Sequence, residues 1–121
     1  MDINTILNSR KGIEKVMGDV LRVLRLYRRL WLSEIHMEIE GMNSTLKEEV
    51  PSYNDVKRAV KELSNLGYVH VEKGIRGSLQ HVHGIEDYLV TIVDDVKIVN
   101  ALTNDKKLSE YMRIKYGFME M

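Results

Sequence analysis

Apolar residues recur three and four positions apart through most of the chain. They switch to alternation only in a stretch past its middle, so the pattern predicts helices around a short β segment. Over residues 10–31, "RKGIEKVMGDVLRVLRLYRRLW", the positions Ile13, Val16, Met17, Val20, Leu24, Tyr27 and Leu30/Trp31 hold one face of a helix. Arg22, Arg25 and Arg29 fall on another face, and the basic run Arg22, Arg25, Arg28 and Arg29 is expected to lay its stems along the core helix or to pair with acids such as Glu34 and Glu38. Ser33 reads as the N-cap of a second helix, "LSEIHMEIEG", with Ile35 and Ile39 inward and Gly41 placed to end it. The following "MNSTLKEEV" is a polar connection containing the acidic pair Glu48 and Glu49.

The stretch "PSYNDVKRAVKELSNLGYVHVEKG" begins at the single proline of the chain. Ser52 is a candidate N-cap, with Asp55 three residues on as a variant of the capping box. At about 100° per residue, Val56, Ala59, Val60, Leu63 and Leu66 gather on one side. Asn54, Lys57, Arg58, Lys61 and Asn65 gather on the other. Gly67 supplies the left-handed residue that stops a helix. "YVHVEK" then alternates, and "DYLVTIV" is a β-branched run of strand length. Between them the glycine-containing "GIRGSLQHVHGIE" reads as a long hairpin tip, although "SLQHVH" is also able to pair. After Asp94 or Asp95 the helical spacing returns through Val96, Val99, Leu102, Leu108, Tyr111 and Met112, with "TND" as a candidate break.

Composition narrows the class. A chain of 121 residues, 44% hydrophobic and 30% charged, suits one folded unit. The absence of cysteine excludes disulfides, thiolate metal sites and cysteine nucleophiles. No apolar run reaches membrane-span length and the N-terminus lacks a signal-peptide pattern, so the expectation is a cytoplasmic protein without a membrane partner. His81 and His83 are two apart with no third ligand in view, which gives no metal site, and no cofactor is implied. No Ser-His-Asp spacing, phosphate-binding glycine loop or two-histidine helix motif occurs, so no catalytic residue is named and an enzyme is not expected.

Lysine plus arginine and aspartate plus glutamate balance at 18 each, but unevenly along the chain. Residues 1–31 carry seven basic against three acidic side chains (+4), and 32–50 carry one against five (−4). Residues 51–83 carry five against three (+2), and 84–121 five against seven (−2). A phosphate-bearing ligand therefore needs a local basic face.

Helix, helix, helix, strand, strand, helix is the order in which these elements fall. The run "VLRVLRLYRRLWLSEIHMEIE" resembles the first two helices of small winged helix-turn-helix transcription regulators, in the manner of archaeal, PadR-like and MarR-like proteins. "SYNDVKRAVKELSNLGYVHVEKG" is similar to their recognition helix and first wing strand, and "YLVTIVDDVKIVNAL" to their second wing strand and the helix after it. The connection at 41–51 departs from the pattern, being longer and more acidic than a tight helix-turn-helix turn.

The resemblance implies an α+β, mostly α fold: three helices plus a two-stranded β-hairpin wing, with a C-terminal helix. It divides the chain into a winged-helix domain, 1–94, with residues 1–9 as an arm, and a C-terminal helical extension, 95–121, as a dimerisation element. Ile3, Ile6, Leu7, Val99, Leu102, Leu108 and Met112 are the apolar residues expected to form the homodimer interface. The implied function is sequence-specific double-stranded DNA binding in transcription regulation, with helix 52–66 in the major groove and the wing, 73–83, on flanking backbone. Ser52, Tyr53, Asn54, Lys57, Arg58 and Lys61 are the candidate contacts from the helix, and Lys73, Arg76, Ser78 and Gln80 those from the wing. Arg76 is expected as the cation of the wing tip. The alternative is a winged-helix protein-interaction module within a larger assembly, favoured by net neutrality and the acidic stretch 38–49.

Overall fold

A computed structural model describes residues 1–117. The elements are α1 (Ile3–Asn8), α2 (Gly12–Tyr27), β1 (Arg29–Trp31), α3 (Leu32–Thr45), α4 (Tyr53–Asn65), β2 (Val69–Arg76), β3 (Ile85–Ile92), α5 (Val96–Thr103) and α6 (Lys106–Tyr116). The protein is α+β and mostly helical, with six helices and one three-stranded antiparallel sheet among the described residues. The strand order is β1-β3-β2, so the hairpin of β2 and β3 gains a third strand on its inner edge.

That third strand corrects the expectation of one helix over 10–31. The helix ends at Tyr27 because Arg28 turns to φ +66°, donating its N–H to Leu24 O at 2.7 Å. Its carbonyl then accepts from Ile92 N at 3.0 Å, and Leu30 pairs opposite Val90. Sheet pairing outweighs the cost of a left-handed arginine. Two further expectations about the next helix fail. Trp31, not Ser33, is the capping position of α3, and its N–H donates to Glu34 Oε1 at 2.9 Å. Gly41 does not end the helix, which runs on to Thr45 and buries Met42 and Asn43. A solvent-facing glycine costs about 1 kcal/mol of helix propensity, less than burying another Met side chain returns.

α4 forms as read. Ser52 Oγ accepts from Asp55 N at 3.1 Å, and Val56, Ala59, Val60 and Leu63 are buried. Leu66, expected on the same apolar side, is exposed at the capping position. Gly67 follows at φ +82° and turns the chain into β2. The chain breaks between α5 and α6 at Asn104–Asp105, with Asp95 and Asp105 as caps.

One core unites the two ends of the chain. Ile6, Leu21, Leu24, Ile35, Ile39, Met42, Val56, Leu63 and Val90 are buried together with Ile98, Leu102 and Tyr111. The residues expected as dimer glue are spent here. Ile3, Ile6 and Leu7 lie in the core, Leu102 and Leu108 are buried, and Val99 and Met112 are half-buried.

Arg22 is the second correction to the reading of the first helix. Instead of lying along a surface, it is buried and forks onto Asp105, with Nε–Oδ2 at 2.7 Å and Nη2–Oδ1 at 3.1 Å. It also donates to Asp19 Oδ1 at 2.8 Å and to Leu7 O at 2.7 Å. Burial works against the guanidinium charge, but the bonds to Asp105 and Asp19 more than offset it and raise the Arg22 pKa. Lys107 Nζ reaches Asp19 at 2.7 Å and Glu48 at 2.8 Å, and Lys15 Nζ reaches the same Glu48 oxygen at 3.0 Å. The network ties α1, α2, α6 and the α3–α4 connection into one body.

Candidate nucleic-acid interface

The polar side of α4 is built by default. Once Val56, Ala59, Val60 and Leu63 are committed to the core, the helical period turns Asn54, Lys57, Arg58, Lys61 and Asn65 outward, and all five are exposed. Their charges are weakly held. Arg58 lies 3.9 Å from Asp55 with both side chains largely in water, an arrangement of little energetic consequence. Lys61 makes no ion pair among the described residues. Glu62, one turn on from Arg58, makes no ion pair with it.

Lys57 marks the junction with the hairpin. Its ammonium lies 5.4 Å from the centre of the Tyr88 ring on β3, a cation–π distance. Tyr88 is the cross-strand partner of Lys73, so the two side chains stand on one face of the sheet. Lys57, Tyr88 and Lys73 thus carry a basic, aromatic surface from helix to strand. Its acidic neighbour is Glu86, 3.6 Å from Lys73. Two other acids stand off the strip: Glu48 is held by Lys15 and Lys107, and Glu72 projects from the opposite sheet face beside His70.

The residues expected on a wing divide. Arg76 is not at a tip. It ends β2 opposite Ile85, and its Nε donates to the buried Asp87 Oδ2 at 2.9 Å. Ser33 Oγ donates to the same oxygen at 2.6 Å, which is the use the fold makes of the residue read as a helix cap. A buried carboxylate takes the nearest cation, so Arg76 stabilises the hairpin and does not stand free for a ligand. The turn occupies residues 77–84, and "SLQHVH" lies within it and forms no strand. Ser78 Oγ accepts from Gln80 N at 3.2 Å, while Leu79, Gln80, His81, Val82 and His83 face solvent. Ser52 caps α4, Asn54 is exposed on its first turn, and Tyr53 packs edge-on against His36 with ring centres 5.9 Å apart. Burial and the nearby Asp87 carboxylate raise the Tyr53 pKa, so its hydroxyl stays protonated as a hydrogen-bond donor at neutral pH.

Of the ten sequence candidates, Ser52, Tyr53, Asn54, Lys57, Arg58 and Lys61 share α4, and Lys73 joins them through Tyr88. Ser78 and Gln80 sit in the turn, and Arg76 is committed to Asp87. Tyr88 and Asp87 escaped the sequence reading. The signal was present: in a strand, neighbours face opposite sides, so "DY" inside an apolar run places one acid and one tyrosine where each needs a partner. Among the described residues, no group of three or more His, Asp or Glu is placed to hold a metal, and no helix is long and apolar enough to cross a membrane. No family model, curated protein or solved structure matches the chain.

Proposed function

We propose that the protein is a winged-helix DNA-binding regulator. α4 enters the major groove of duplex DNA, and the β2–β3 hairpin forms the wing. The observation that carries this reading is the exposed, weakly paired Lys57, Arg58 and Lys61 on one helix face, continued onto the sheet by Tyr88 and Lys73. Arg58 and Asn54 supply the hydrogen-bonding groups suited to guanine and adenine edges, and the lysines suit phosphate. Asn54 stands on the first turn of α4, the end that inserts in helix-turn-helix docking. One such helix reads few base pairs, so the reading includes a twofold dimer on a palindromic site.

Gel retardation of duplex DNA by the full chain tests it. Lys57→Ala combined with Lys61→Ala removes retardation while the circular dichroism spectrum is unchanged, because neither side chain enters the core. An unchanged shift in the double variant, or no shift at low salt in the parent, refutes the reading. A second reading, a protein-interaction module, is favoured by Met37. It is 69% exposed on α3 between Glu34, Glu38 and Glu40, an apolar residue in an acidic frame that repels phosphate.

A further inference from the structure

A groove of about 1410 Å³ is lined by no residue of the sheet. Its walls are α1, the start of α2, the α3–α4 connection, the first turns of α4, and α5 running into α6. Eight Lys/Arg and six Asp/Glu line it, so it carries +2 in a chain of zero net charge. Four of its cations, Arg10, Lys11, Lys97 and Lys106, make no ion pair among the described residues.

The floor of the groove is the ionic network, and its members are not equally fixed. Asp19 and Asp105 are deeply buried, held by Arg22, and Asp19 also accepts from Asn43 Nδ2 at 3.1 Å. Neither can leave its partners without stranding a buried charge. Glu48 differs. It comes from a connection and not a helix, and its side chain is 34% exposed against 1% for Asp19. Water is open to it. Its Oε1 alone receives both Lys107 at 2.8 Å and Lys15 at 3.0 Å. One anionic oxygen at that point therefore satisfies two ammonium groups, and a ligand can supply that oxygen as well as Glu48 does.

We infer that the groove is a binding site for a compact polyanion, a small molecule carrying at least two phosphate or carboxylate groups. One anionic group displaces Glu48 from Lys15 and Lys107, and the others meet unpaired cations such as Lys97 and Lys106. Glu48 thus acts as an internal occupant of the site. It lies four residues before Ser52, the cap of α4, and the intervening backbone is tethered by Asn43 Nδ2 to Glu49 O at 2.9 Å. Displacement of Glu48 loosens the segment that sets the start of α4. This coupling rests on the DNA-binding reading; the binding itself does not.

Isothermal titration of the full chain with pyrophosphate and, separately, with citrate tests the inference. At least one of them binds saturably with a Kd of about 1 mM or tighter. Glu48→Gln tightens that Kd about tenfold by removing the competing carboxylate, and Lys97→Gln with Lys106→Gln weakens it about tenfold. Lys57→Ala with Lys61→Ala leaves it unchanged, because neither lysine lines the groove, whereas Arg58, which borders it, is kept. If the network only braces the fold, Glu48→Gln lowers the melting temperature without raising affinity. That result overturns the inference, as does the absence of saturable binding in both the parent and Glu48→Gln. Retardation of duplex DNA with and without the bound anion is read independently. Polyanion binding in a protein that never shifts DNA removes the nucleic-acid reading and leaves the site standing.

Discussion

Arg22 concentrates what single residues decide in this protein. Its guanidinium joins α2 to the cap of α6 and to the last turn of α1. Arg22→Ala strands Asp105 in the interior, while Asp19 keeps Lys107, and urea unfolding is expected to show a loss of about 3–5 kcal/mol. Nothing in the sequence marks this arginine as buried, since beside Asp19, three positions back, its bidentate partner Asp105 lies 83 positions away; only the fold brings them together. Gly84 carries a different constraint. It sits at φ +79°, and a Cβ there would stand 2.5 Å from Ile75 Cγ2 and 2.7 Å from Arg76 O. Gly84→Ala is expected to destabilise the hairpin end by about 1–3 kcal/mol, seen as faster amide exchange along β2 and β3. Glu48 supplies the pH dependence. Partial burial pulls its pKa upward, but hydrogen bonds from Lys107 and Lys15 outweigh this and hold it below the usual 4.5. A depressed carboxylate contributes stability that is complete above its unfolded value and disappears as pH falls through its folded one. Stability should therefore drop below about pH 4.5, and Glu48→Gln should reduce that drop in a melting-temperature profile.

At the scale of elements, legibility tracked the strength of the local pattern. α4 was readable because cap, apolar period and terminal glycine agree over 16 residues, Ser52 to Gly67. β1 was not, because Arg29–Trp31 is three residues long and continues the helical spacing of α2. Its existence depends on β3, 60 positions downstream, offering an edge. Gly41 misled for the reverse reason: a local stop signal lost to the burial of Met42 one residue later. Within the candidate site, the helix half was legible and the hairpin half was not. Lys57, Arg58 and Lys61 follow from periodicity alone, whereas Arg76 was drawn to an acid whose burial is a tertiary fact. The two halves make opposite predictions. Lys73→Ala should weaken duplex binding with the melting temperature nearly unchanged, since its pair with Glu86 is exposed. Arg76→Ala should lower the melting temperature, because Asp87 loses its cation. A silent Lys73→Ala in a binding titration would confine the interface to α4.

For the molecule as a whole, the distribution of its cations matters more than their number. Eighteen basic residues are present, and of the seven in residues 1–31 three are buried, as Arg22, or paired, as Lys15 with Glu48 and Arg28 with Asp94. What remains on the face of α4 is three cations per chain, Lys57, Arg58 and Lys61. The oligomeric state is entangled with this. Removing residues 104–121 to break a dimer would also remove Asp105 and Lys107, taking from Arg22 its bidentate partner and from Asp19 and Glu48 a cation, so truncation destabilises the fold before it reports on assembly. Salt dependence gives a cleaner measure. Each phosphate neutralised on duplex DNA contributes about 0.9 to the slope of log affinity against log salt concentration, so the three lysines assigned to phosphate, Lys57, Lys61 and Lys73, give a slope of about −2.7 from one chain and about −5.4 from two. A dimer that docks both copies of α4 is expected at the steeper value. Lys61→Ala should then flatten the slope by about 1.8 in a dimer, because one substitution deletes two contacts, and by about 0.9 in a monomer. Fluorescence-anisotropy titrations of the parent and of Lys61→Ala across a salt series measure both quantities on intact, folded protein. A parent slope near −2.7 that flattens by about 0.9 would assign binding to a single copy of the chain and remove the twofold dimer from the proposal.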